Sequence, residues 1–109
     1  MINVPDSIKI LGLNYKVLVT DDFVNVIKPH LLEEDKDKEF FGYFVSECMT
    51  IFLDGKVSRQ MLESTLIHEI IEVINSHLCM NIEHDNIERL ECGLYQVLTE
   101  NSLIDALEY

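Results

Sequence analysis

Basic side chains are scarce in this sequence: eight Lys and Arg stand against 20 Asp and Glu, leaving a net charge of −12 at pH 7. A surface of that sign repels phosphate backbones and anionic lipid headgroups, which argues against nucleic-acid and membrane-surface roles. Cysteine is sparse too. Cys48, Cys79 and Cys92 cannot all pair within one chain, and no Cys-x-x-Cys spacing offers a redox dithiol or a thiolate zinc site. They read as reduced, small, half-buried side chains of a cytosolic protein. No run approaches the ~18 consecutive apolar residues of a membrane span, and the opening Met1-Ile2-Asn3-Val4-Pro5-Asp6 has neither the basic nor the apolar region of a secretion leader. The expectation is a cytoplasmic protein. Internal repeats, low-complexity tracts and linkers are lacking as well, so residues 1–109 are expected to form one domain.

What is present is a hydrophobic content of 48%, enough for one core without disulfides or a structural metal. Ile8-Lys9-Ile10-Leu11 and Tyr15-Lys16-Val17-Leu18-Val19 predict two strands, with Gly12-Leu13-Asn14 as the hairpin bend. Phe23 to Leu32 is compatible with a strand or a short helix, because Val24, Val26 and Ile27 favour extended backbone and Pro29 stops a helix. Glu33 to Glu39 is a charged loop. Phe40 to Val45 and Met49 to Leu53 are aromatic and β-branched, which predicts two further strands around a bend at Ser46-Glu47-Cys48. Four aromatics in so thin a sheet, Phe40, Phe41, Tyr43 and Phe44, exceed what it can bury and point toward a homodimer.

A long helix is predicted from a cap at Ser58 to about Leu78. At 100° per residue, Leu62, Leu66, Ile67, Ile70, Ile71, Val73, Ile74 and Leu78 cover one half of it. Thr65, His68, Glu72 and Ser76 fall within about 80° of one another on the other side. His68 and Glu72 are one turn apart, so imidazole and carboxylate project together, with Glu69 about 60° further round. That is the geometry of a two-ligand metal clamp beside a free carboxylate. The same fragment on its own also fits an exposed salt-bridging face.

A tetrahedral zinc with an open position needs a third protein ligand. A second helix, predicted over about Asp85 to Asn101 with Asp85 or Asn86 as cap, brings His84 to its start, on the flank that also carries Glu88 and Glu91. If the two helices pack antiparallel, His84 reaches His68 only at a close crossing, and a solvent-exposed histidine is the alternative. Ile87, Leu90, Leu94, Val97 and Leu98 form the apolar stripe of this helix, and Gly93 inside it suggests a close approach by another element. His77 projects onto the apolar half of the first helix as a core or boundary residue, and His30 receives no role. Tyr95 could bond a ligand or an oxyanion, although a place at the core boundary suits an aromatic better.

The run Thr65-Leu66-Ile67-His68-Glu69-Ile70-Ile71-Glu72-Val73-Ile74-Asn75, followed by Leu78, His84, Ile87, Leu90-Glu91, Gly93-Leu94-Tyr95-Gln96-Val97-Leu98 and Asn101, resembles small phage- and prophage-encoded zinc metallopeptidases of the minimal zincin type. The resemblance implies an α+β fold, a short antiparallel or mixed sheet packed on two main helices. It also implies an H-E-x-x-H pair on the first helix and a third ligand, often glutamate, early in the second. This sequence departs from that pattern at Glu72, which replaces the second histidine. His84 stands nine residues before Gly93, where the family's glutamate would be, so the two ligand types are exchanged and the set of two histidines and one carboxylate is kept. Zinc accepts that set, as do manganese and iron.

The function expected from the sequence is a metal-dependent hydrolase acting on a peptide or protein, with Zn²⁺ or another divalent transition metal on His68, Glu72 and His84 and with Glu69 as general base. The alternative is a catalytically degenerate relative that serves as an interaction protein.

Overall fold

The structure, a computed structural model, describes residues 4–103, so the expected tail from Leu103 to Tyr109 lies almost wholly outside the described residues. It is α+β: a four-stranded mixed sheet with one short and two long helices. Strands β1 (Ser7–Ile10) and β2 (Leu13–Thr20) form an antiparallel hairpin. Its two-residue turn puts Leu11 at φ 52° and Gly12 at φ 81°, the doubly positive backbone that matches strand twist in tight hairpins. The bend thus lies one residue earlier than expected, and Leu13 and Asn14 belong to β2.

Between β2 and the next strand the chain forms α1 (Phe23–Ile27) and single 3-10 turns at Lys28–His30 and Glu33–Asp35. The ambiguous stretch is therefore helical: α1 ends ahead of Pro29, which supplies no N–H to continue it, and the chain goes on as the 3-10 turn Lys28–His30. β3 (Gly42–Val45) and β4 (Thr50–Asp54) follow, joined by a 3-10 turn over Ser46–Cys48 that closes with Met49 in the left-handed region at φ 48°. The sheet order is β1-β2-β4-β3, with β2 and β4 parallel and both outer pairs antiparallel. β3 is thus an edge strand.

Alternation along β4 sends side chains to both faces. Ile51 and Leu53 join Ile10, Tyr15, Val17, Leu62, Leu66 and Val73 in the main core, whereas Phe52 joins Phe23, Ile27 and Val45 beneath α1. The aromatics expected to be in surplus find places: Phe40 meets Tyr43 edge-on and Phe44 meets Tyr15, all half-buried or buried, and Phe41 alone is exposed.

Helix α2 (Arg59–Leu78) lies across the sheet, and α3 (His84–Glu100) packs along the outer side of α2. Ser58 caps α2 as expected, its Oγ accepting from the Met61 N–H at 3.2 Å. α3 begins one residue before the expected start, and its N-cap is Glu83, which makes no side-chain cap hydrogen bond, in place of Asp85 or Asn86. Only Ile87 of the α3 stripe is buried, because α3 has one helix to pack against and turns Leu90, Leu94 and Val97 to solvent. Among the described residues, nothing lies within 4 Å of where a Cβ on Gly93 would stand, so they do not make the expected close approach. The three cysteines are free, as expected, but exposed where half-burial was expected.

Two polar residues of α2 are buried against expectation, Thr65 and Glu69. They face Gly42 of β3, where a Cβ would meet Thr65 Cγ2 at 2.5 Å and Glu69 Cγ at 3.1 Å. A wheel with one apolar half assumes one neighbour, whereas α2 is covered by the sheet on one side and by α3 on another. No helix among the described residues is long and apolar enough to cross a membrane.

Candidate metal centre

The chain reverses between α2 and α3 through Cys79 and Asn81, both at positive φ. The Asn75 side chain fastens this turn from both sides, donating to the Ile82 carbonyl at 3.1 Å and accepting from the Ile82 N–H at 2.9 Å. The helices then run antiparallel, and their side chains meet in steps that descend α2 as they ascend α3. Glu72 meets His84, His68 meets Glu91, Ser64 meets Glu91 and Glu63 meets Tyr95.

The close crossing that His84 required is present: the His68 and His84 rings lie 5.0 Å apart between centroids. Glu72 Oε2 is 3.3 Å from His68 Nε2 and 3.3 Å from His84 Nδ1. One donor atom from each of the three residues lies within 4.8 Å of the others. Zinc bonds of about 2.0–2.1 Å at tetrahedral angles would set neighbouring donors about 3.3 Å apart. The two carboxylate-to-imidazole spacings match that value, and the donor types are those zinc, iron and manganese accept.

Electrostatics agree with a site built for positive charge. His68 is pushed up to about 9, first by its hydrogen bond to Glu72 and then by Glu69 and Glu91, against burial that pulls it down. Glu72 is held below the usual carboxylate range, chiefly by that bond to His68. Glu69 is only 6% exposed, and burial raises it to about 8, with Glu72 and Glu91 adding to the rise and His68 opposing it.

Glu69 and His68 both line a groove of about 730 Å³ that runs between β3 and the two long helices, past Phe40, Gly42 and Glu72. The four residues expected to form the site are thus brought to one groove. Glu88 and Glu91, on the flank of His84, also reach the histidines: His84 Nε2 is 3.0 Å from Glu88 Oε1, and His68 Nδ1 is 2.8 Å from Glu91 Oε1. The signal for that pairing was the spacing itself, since Glu91 lies two turns beyond His84 as His68 lies one turn before Glu72. It becomes readable only once the antiparallel offset is known.

Tyr95 takes no part in the site. Its hydroxyl donates to Glu63 Oε1 at 2.8 Å, and burial and that carboxylate push it up to about 12. His77 is bound to the hydroxyl of buried Tyr15 and packs edge-on against its ring, which makes it a fastening between α2 and the sheet. His30 stacks on Phe52, away from the groove. Comparisons with protein-family models, with curated proteins and with solved structures find no match to this chain.

Proposed function

We propose that this protein is a metal-dependent hydrolase, a peptidase in the first instance, that holds one divalent ion on His68, Glu72 and His84. The observation that carries the reading is the convergence of three donors from two helices, with Glu72 Oε2 3.3 Å from a nitrogen of each histidine. Zinc is the first choice, and manganese and iron suit the same ligands. An ion bound there would polarise a substrate carbonyl and lower the pKa of a bound water toward ~7.

The chain's own residues supply the rest. Glu69 follows His68 directly on the helix, lies under β3 and opens onto the groove, so its carboxylate can take a proton from a nucleophilic water and return it to the leaving amine. A cation held on His68 and Glu72 would favour the ionised, proton-accepting form of Glu69, against the burial that raises it in the metal-free protein. Phe40 and the β3 backbone wall the groove opposite the helices and limit water around that carboxylate.

Elemental analysis of the purified protein tests the reading. About one transition-metal ion per chain is expected, with His68→Ala abolishing it and with peptide hydrolysis that stops on chelation. A metal-free protein, or a His68→Ala variant equally rich in metal, overturns it. A second reading, a metal-holding interaction protein without hydrolysis, is favoured by exposed Leu90, Leu94 and Val97 on α3. One bound metal without turnover on a broad peptide library is the result that selects it.

A further inference from the structure

The two histidines differ in how their far nitrogens are held. His68 Nδ1 donates to Glu91 Oε1 at 2.8 Å, and the other oxygen of Glu91 accepts from the Ser64 hydroxyl. The side chains of this pair are 12% and 17% exposed. His84 has a carboxylate on its far nitrogen as well, Glu88 at 3.0 Å, but those side chains are 58% and 57% exposed. Water competes with a hydrogen bond at the second place and much less at the first.

We propose that Glu91 is a positioning residue for the metal centre: it grips His68 by Nδ1, so that Nε2 is presented toward Glu72 and the ion. The inference rests on the metal reading above. A neutral imidazole ligates through one nitrogen and carries its proton on the other, so an acceptor fixed at Nδ1 selects the tautomer that ligates through Nε2 and stops the ring from turning. Ser64, one turn before His68, fixes the acceptor in its turn. The grip is assembled across both helices, and Glu91 contributes from α3 what no residue of α2 supplies.

Zn²⁺ affinity, measured by competition with a chromophoric chelator, tests this in the full chain, with thermal unfolding of each metal-free variant alongside. Glu91→Ala should weaken binding about 10- to 100-fold. Glu91→Gln keeps one oxygen, which can accept from His68 Nδ1 while the amide NH₂ turns to the Ser64 hydroxyl, so it should fall between Glu91→Ala and the wild type. Glu88→Ala should cost less than Glu91→Ala. Visible absorption of the Co²⁺-loaded protein should change in band position or intensity in Glu91→Ala and not in Glu88→Ala, which a general loss of packing would not produce.

If Glu91→Ala does not fold, Glu91→Gln decides: affinity about threefold or more below wild type at unchanged stability supports the grip, and wild-type affinity overturns it. Glu91→Ala affinity within twofold of wild type overturns this inference and leaves the metal reading standing. A wild-type chain that takes up neither Zn²⁺ nor Co²⁺ overturns both.

Discussion

A Cβ on Gly42 would stand 2.5 Å from Thr65 Cγ2. The absence of that Cβ is what lets β3 lie against the buried side of α2, and Thr65 is branched at Cβ and buried, so its χ1 is restricted and it gives way only at a cost. Gly42→Ala should therefore cost about 2 kcal/mol of stability, the usual range for overpacking a filled interior. Thr65→Ser removes the offending methyl, and the double variant Gly42→Ala with Thr65→Ser should recover part of the loss. Urea unfolding of the two single variants and the pair gives the coupling, and additive losses would contradict the contact.

Gly93 sits inside α3 with open space where its side chain would be. Gly93→Ala should stabilise the protein by about 1 kcal/mol through helix propensity alone. A lower unfolding midpoint would mean that something covers this face of α3.

Without metal, stability should fall as pH rises from mildly acid to alkaline. His68 is raised from 6.5 to about 9, so its stabilising contribution is complete below 6.5 and is lost as pH climbs through 9. Glu69 is raised from 4.5 to about 8: folded protein keeps the proton that unfolded chain releases, so its contribution likewise drains away over that interval. Glu72 is lowered, and its contribution is present above 4.5 and lost in acid. Unfolding in EDTA at pH 5.5, 7 and 9 should show a decline on the order of 2 kcal/mol across that span. A flat or rising profile would contradict the burial and charge described for Glu69 and His68.

Glu69→Gln should leave metal content unchanged and abolish hydrolysis. It should also raise the stability of the metal-free protein at pH 8 by about 1 kcal/mol, because an amide of the same shape carries no charge to bury. Metal loss in this variant would identify Glu69 as a ligand.

Much of the site was legible because its elements repeat on short periods. Ser58, the hydrophobic spacing of α2 and the one-turn separation of His68 from Glu72 are local facts, and the structure keeps each of them. The strands of β-branched and aromatic residues and the two helices were readable from the residues, and the α+β packing of sheet on helices was what the resemblance implied. The misreadings arose where the answer depends on what lies across the gap. The wheel put Thr65 on the polar side and Glu69 on its flank as a free carboxylate, and their burial went unread because nothing in α2 itself announces that β3 presses on it through a glycine. Leu90, Leu94 and Val97 looked buried because an apolar stripe does not reveal whether a partner exists. Phe23–Ile27 was undecided because five residues are too few to separate a helical from an extended period.

The carboxamide of Asn75, bonded twice to the Ile82 backbone, acts as a spacer gauge for the whole molecule. Each helix could keep its full length with one residue more or fewer in the reversal. The downstream imidazole, however, would swing about 100° around its axis and face away from its partners. The chemistry proposed for this protein therefore depends on the length of a connector that touches none of it, and a single inserted codon there would erase the site while leaving both helices whole.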